Sequence, residues 1–129
     1  MSESSYDSIA EAIAKNLDGI VKPLYEGSKA AFRFRVSLPQ RNAALLLRFS
    51  PHRGNERLAV SCLFPERKGV TVVPTDYLDA DELRALRYVP EITVSLKKTP
   101  ALIAADIRRR IVPGYLTVLE RIAAGSSRQ

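Results

Sequence analysis

The residues in this chain best suited to chemistry are arginines, at positions 33, 35, 48, 53 and 57. A guanidinium presents a planar fork of N–H donors that matches a phosphate or a carboxylate, and several on one surface make a place for an anion. Their spacing supplies the surface. Residues 32–38, "FRFRVSL", alternate strictly, with Phe32, Phe34, Val36 and Leu38 on one side and Arg33, Arg35 and Ser37 on the other. That is the pattern of a half-buried strand. Residues 43–49 turn Leu45, Leu47 and Phe49 inward, and residues 57–64 do the same with Leu58, Val60, Cys62 and Phe64. Pairing the first two segments as a hairpin sets Phe32 opposite Phe49, Phe34 opposite Leu47, Val36 opposite Leu45, and Arg33 directly opposite Arg48. Adding the third aligns Leu58 with Phe49, Val60 with Leu47 and Cys62 with Leu45. Arg57 then falls diagonal to Arg48, about 7–8 Å away, and a two-residue slip would set it directly opposite.

Like charges facing each other across strands are mildly destabilising, so a row of Arg33, Arg48 and Arg57 invites an anion. The competing reading is a solvated sheet face, partly neutralised by Glu56 or Glu91. Arg53, in the loop 50–56, belongs to the same end of the sheet, and Arg35 lies one step further along the face. Arg41, Arg67 and Lys68 form a secondary basic patch at the opposite end if the strands make a meander. Phe32, Phe34 and Phe49 face the core, so no base-stacking platform shares the basic face.

Other chemistry finds less support. His52 is the only histidine and sits in a glycine-containing loop without a ligand pattern beside it, which reads as a surface residue rather than a metal site. Cys62 is the only cysteine and lies in an apolar alternation, so a Cys62–His52 dyad is poorly placed. Asp76, Asp79, Asp81 and Glu82 make an acidic cluster, explained most simply by a helix N-terminus. No glycine-rich phosphate loop and no G-x-S-x-G occur. The expectation is a protein without catalytic residues, metal or cofactor.

The elements that must position the arginines are legible in part. Ile9, Ile13, Leu17 and Ile20 recur at helical spacing over residues 5–22, with Ser5 or Ser8 as cap and Pro23 as the stop. A fourth strand is expected at 70–73 and a fifth at 91–96, where Ile92, Val94 and Leu96 point inward. Between them "TDYLDADELRAL" reads as a short helix with Asp79 as N-cap and Glu82 three residues on. Thr99 caps a last helix that Pro100 opens. Ile103, Ile107, Ile111, Tyr115, Val118 and Ile122 keep phase through Pro113, so one long helix kinked near Pro113 is expected, Gly114 easing the bend. Arg108, Arg109 and Arg110 fan over roughly 200° of that helix and cannot share one partner. A strand precedes the helix, which argues against a helix-turn-helix.

The fold class that follows is α+β: a five-stranded, mainly antiparallel sheet with the N-terminal helix and the long C-terminal helix on one face. Ile9, Ile13, Leu17, Ile103, Ile107, Ile111, Val118 and Ile122 would cover it. Its 129 residues suit one domain, with 1–4 and 125–129 frayed at the ends. Hydrophobic content of 46% and charged content of 26% are those of a globular chain. No signal peptide or membrane span is readable, and the single cysteine points to a reducing cytoplasm. Net charge is +6, and residues 32–73 hold eight basic against two acidic side chains. Such a field attracts polyanions or acidic protein surfaces.

The segment "ITVSLKKTPALIAADIRRRIVPGYLTVLERI" resembles a block found in small uncharacterised proteins of bacteriophages and integrative elements. The resemblance rests on Val94-Ser95, Pro100, Ile103-Ala104, Asp106-Ile107, Arg109-Arg110, Pro113 and Tyr115. It covers about a quarter of the chain and brings no catalytic residues. It implies a phage or mobile-element setting, where small accessory proteins bind nucleic acid or block host defence. Two functions are therefore expected: a protein whose basic sheet face binds nucleic acid or a nucleoprotein complex, or an inhibitor of a host defence effector, of the anti-CRISPR type, acting by protein–protein contact.

Overall fold

A computed structural model describes residues 3–24, 33–40, 43–50, 56–67 and 69–124. Helix α1 (Glu3–Asn16) leads into strand β1 (Ile20–Pro23), followed by β2 (Arg33–Ser37), β3 (Ala44–Ser50) and β4 (Arg57–Leu63). A small hairpin of β5 (Glu66–Arg67) and β6 (Val70–Thr71), a 3-10 turn at Pro74–Asp76 and helix α2 (Ala80–Ala85) intervene before β7 (Glu91–Ser95). Helices α3 (Pro100–Arg110) and α4 (Val112–Ala124) close the described chain. The main sheet has five strands in the order β1-β2-β3-β4-β7, every neighbouring pair antiparallel. The expected α+β class holds, with its N-terminal helix and long C-terminal helical arm.

One face of the sheet is apolar and covered. Phe34, Val36, Leu45, Leu47, Phe49, Leu58, Val60, Ile92 and Val94 are buried against Tyr6, Ala10 and Ile13 of α1 and Ile103, Ala104 and Ile107 of α3. Burying one such Leu or Ile is worth roughly 1.5–3 kcal/mol, so this layer supplies most of the driving force for the fold. Tyr6 stacks on Phe49 with ring centroids 4.7 Å apart and donates a 2.5 Å hydrogen bond to Glu56 at the start of β4.

Three expectations are corrected. The first helix starts at Glu3, which leaves Ser5 and Ser8 inside it rather than capping it, and it stops at Asn16 rather than running to residue 22. Asp18 takes a left-handed φ of 57° and the Gly19 N–H bonds back to the Ala14 carbonyl at 2.8 Å, which closes the helix five residues before Pro23. Ile20–Pro23 then becomes an edge strand, and a Cβ on Gly19 would lie 2.7 Å from the Ser37 carbonyl oxygen. Second, the strand expected at 70–73 does not join the main sheet; its Val70–Thr71 pairs only with Glu66–Arg67, and β1 takes the fifth place. Third, Val118 and Ile122 do not cover the sheet. They pack with Val72 and Leu78 in a second, smaller core.

The Pro113 region is a helix with a one-residue break. Ile111, at φ −120°, separates α3 from α4, yet its N–H still bonds to Ile107 and its carbonyl still accepts from Tyr115. Proline at 113 removes its own N–H and crowds the Arg109 carbonyl, so the chain deviates just before it. Gly114 serves a different purpose from the bend. It is buried, and a Cβ there would come within 2.5 Å of the Arg87 carbonyl oxygen, so the glycine lets α4 lie directly on the turn that ends α2. Of the residues expected to fray, 1–2 and 125–129 lie outside the described residues, whereas Glu3 and Ser4 belong to α1.

Candidate nucleic-acid interface

The face of the sheet away from the helices is built by the odd-numbered residues of β2, β4 and β7 and the even-numbered ones of β1 and β3. The expected register is present: Arg33 pairs with Arg48, Phe34 with Leu47, Val36 with Leu45, Leu58 with Phe49 and Val60 with Leu47. Phe32, placed opposite Phe49 from sequence, lies outside the described residues. Arg57 pairs with Ser50 and sits diagonal to Arg48, so the slipped register is not adopted. One cross-strand row therefore runs Arg33, Arg48, Ala59, Thr93, and the next runs Lys22, Arg35, Leu46, Ser61, Glu91.

Backbone bonding sharpens the Arg33–Arg48 contact. The Arg33 carbonyl accepts from Leu24 N–H on the β1 side, while Leu38 N–H donates to Ala43 on the β3 side. By alternation Arg33 and Arg48 form a non-hydrogen-bonded pair, where Cα atoms are about 4.5 Å apart and side chains come closest. Two arginine side chains thus leave the backbone at adjacent positions on an exposed surface, with the Arg48 head turned toward Glu91.

Neutralisation is sparse. Of the two carboxylates expected to offset the arginines, Glu56 turns to the other face and accepts from Tyr6. Glu91 does serve the basic face: its Oε2 lies 3.6 Å from Arg48 Nη2 and accepts from Ser61 Oγ at 2.7 Å. It is the only acidic residue in the five strands. Among the described residues, Lys22, Arg33, Arg35 and Arg57 make no salt bridge. Lys22, Arg33, Arg35 and Arg48 are exposed and Arg57 is half-buried. Between them lie Leu46, Ala59, Ser61 and Thr93, and no aromatic ring stands on this face of the described strands. The surface offers charge and hydrogen-bond donors, and no plane for a base to stack on.

Arg53, Arg41, Lys68 and His52 lie outside the described residues. The backbone of Arg67 belongs to the small β5–β6 hairpin, away from the main sheet's ladder. Lys22 is a site residue not expected from sequence, because residues 20–22 continue the helical spacing of the first helix. The signal was Gly19 followed by the β-branched pair Ile20-Val21 and then a proline, which is strand-edge chemistry.

The remaining candidates are accounted for locally. The Cys62 thiol is half-buried, donates to the Val89 carbonyl at 3.4 Å, and is pushed up to about 12 by burial, so it is a poor nucleophile at neutral pH. Burial likewise pushes the Tyr115 hydroxyl up to about 12. Asp79 and Glu82 form a reciprocal capping box on α2, and Asp81 pairs with Arg84. Among the described residues no group of side chains is placed to hold a metal ion. Of the arginine triplet, Arg108 pairs with Asp18 at 3.4 Å, Arg109 pairs with Asp106 at 2.9 Å, and Arg110 is exposed. Among the described residues no helix is long and apolar enough to cross a membrane.

No family model, no curated protein and no solved structure matches this chain.

Proposed function

We propose that this protein is a non-enzymatic binding protein that engages the phosphate backbone of nucleic acid, alone or within a nucleoprotein complex, through the outer face of its main sheet. The observation that carries the reading is the cross-strand pair Arg33 and Arg48, flanked by Lys22, Arg35 and Arg57 and met, among the described residues, by one carboxylate only. A fold does not choose to hold like charges together on an open face for stability's sake. A phosphodiester chain neutralises them and gives each guanidinium a forked acceptor. The lack of an aromatic among the described residues of this face favours recognition of backbone over splayed bases, hence sequence-tolerant binding to a duplex. A small accessory role in a phage or mobile-element setting fits such a protein.

Fluorescence anisotropy with a labelled duplex at several salt concentrations tests this. Affinity should fall steeply with salt, since each neutralised phosphate contributes about −0.9 to the slope of log K against log salt. Replacing Arg33, Arg48 and Arg57 together by alanine should weaken binding uniformly across sequences and flatten that slope by about 2 to 3. Unchanged binding by the triple variant would remove this face from consideration. A nuclease-insensitive, stoichiometric complex with a host defence effector would favour the inhibitor role instead.

A further inference from the structure

The two edges of the main sheet are built differently. On β1 the even-numbered residues bond to β2, as the Leu24 N–H to Arg33 carbonyl bond requires, so Val21 and Pro23 face outward. Pro23 has no N–H to offer, and a short edge carrying a lysine and a proline is a poor template for another strand. On β7 the Pro90 carbonyl accepts from Cys62 and the Leu96 N–H donates to Glu56, so the even-numbered residues bond to β4. The backbones of Glu91, Thr93 and Ser95 therefore point away from the sheet. The Ser95 carbonyl is taken by the Lys98 N–H, and among the described residues no backbone hydrogen bond reaches Glu91 or Thr93 from that side. The segment Glu-Ile-Thr-Val-Ser has strong strand propensity and contains no proline.

We infer that β7 is a pairing edge for a second copy of this chain, joined antiparallel about a twofold axis through Thr93. That register centres the contact on the outward N–H and C=O of Thr93. Thr93 meets Thr93 of the partner subunit as a hydrogen-bonded pair, exchanging both N–H···O bonds. Glu91 falls opposite Ser95 of the partner subunit, where the turn carrying the exposed Lys97 of the partner subunit begins. The sheet's single carboxylate thus stands at its open edge.

An axis perpendicular to the sheet puts both basic faces on the same side. At about 4.8 Å per strand, the two copies of Arg48 lie roughly 24 Å apart and the two copies of Arg33 roughly 34 Å apart along the joined sheet. The wider spacing is close to one turn of B-form DNA, about 34 Å. This part rests on the polyanion reading; the strand pairing does not. A five-residue edge buries less than the roughly 1,200 Å² of a stable interface, so the pair is weak alone and strengthens when one duplex holds both halves.

Sedimentation equilibrium of the full chain, from about 5 µM to about 0.5 mM, tests the pairing in the concentration range expected of so small a contact. Wild-type mass should climb from 14.3 kDa toward twice that value, and Thr93→Lys, which sets two lysines against each other on the axis, should stay at the monomer mass. Thr93→Cys should form an intersubunit disulfide under mild oxidation, because a hydrogen-bonded pair holds its Cα atoms about 5.5 Å apart, inside the range a disulfide spans. Cys62, with its half-buried thiol bonded to the Val89 carbonyl, should stay reduced. A monomer mass at every wild-type concentration overturns the inference. So does a dimer that Thr93→Lys leaves intact, or a Thr93→Cys chain that fails to cross-link. The triple arginine variant keeps the mass increase even if it binds no duplex. If instead the pairing is wrong, the wild-type chain stays at 14.3 kDa however tightly it binds a twenty-base-pair duplex.

Discussion

Arg33 and Arg48 stand opposite each other in a non-hydrogen-bonded register, on a row that continues through Ala59 and Thr93 without meeting a carboxylate. The nearest relief is Glu91, two strands from Arg48 and on the neighbouring row, at 3.6 Å. Relief of this repulsion and loss of binding should go together. Arg33→Thr is expected to raise stability by about 0.2–1 kcal/mol while weakening duplex binding, as read by urea denaturation and anisotropy on the same protein. A variant that loses stability along with affinity would mark the arginine as structural.

Tyr115 fastens α4 to the end of the sheet. Its hydroxyl accepts from the Ala44 N–H at 2.8 Å and lies within donating reach of the carbonyls of Ala44 and Leu63. Tyr115→Phe leaves the buried Ala44 N–H without a partner. The expected cost is about 1–3 kcal/mol, measured by chemical denaturation, with the fold retained.

Asp106 is nearly buried at the back of α3, where it accepts from Lys98 Nζ at 2.6 Å and from Arg109 at 2.9 Å. The Lys98 hydrogen bond, helped by the nearby charges of Lys98, Arg109 and Arg110, holds its carboxyl below the ordinary range despite desolvation. A depressed carboxyl contributes stability that is fully present above its unfolded value, about 3.9 for Asp, and is lost as pH falls through the lower folded value. Asp106→Asn should therefore be less stable than wild type at pH 5 to 7, and the gap should close progressively below about pH 4 in urea melts.

Pro113 and Gly114 should behave unlike each other. Pro113→Ala is expected to preserve the fold, regularise the helix at Ile111 and loosen the methyl contacts of Val118 or Ile122, as followed by NMR. Gly114→Ala drives a methyl into the Arg87 carbonyl and should cost about 1–3 kcal/mol. Equal effects at the two positions would contradict the assignment of the bend to proline and the close approach to glycine.

What the sequence made legible was whatever a period of two or a capping rule controls. The β2–β3–β4 register followed from matching apolar positions, since a one-residue slip would turn Leu45 and Leu47 to solvent. The caps at Asp79 and Thr99 followed from side-chain chemistry alone. What failed depended on long-range placement. Ile20 continued the helical phase of α1, yet the Asp18-Gly19 closure ended that helix, and the approach of Gly19 to Ser37 decided the outcome. Val70–Thr71 has strand propensity, but nothing local states which sheet it joins. In the candidate site the three aligned arginines were readable, whereas Lys22 became a member only once β1 docked on β2.

The excursion from Phe64 to Pro90 leaves the sheet, gathers Val72 and Leu78 around Val118 and Ile122, and returns as β7. It meets the main core through Phe64, 6.1 Å from Tyr88 and 5.4 Å from Tyr115, and through α4, whose Tyr115 and Leu119 lie in the main core. Such a satellite core has its own cooperative opening, cheaper than global unfolding, in which the excursion comes away from α4 while Tyr115 and Leu119 hold that helix on the main core. Amide hydrogen exchange should then show residues 70–88 protected to one common, lower level, while Leu45, Leu47, Leu58 and Val60 exchange only through complete unfolding. In that partly opened species the strand ladder still carries Arg33 and Arg48 in register, so the charged face outlasts the structure that returns the chain to β7.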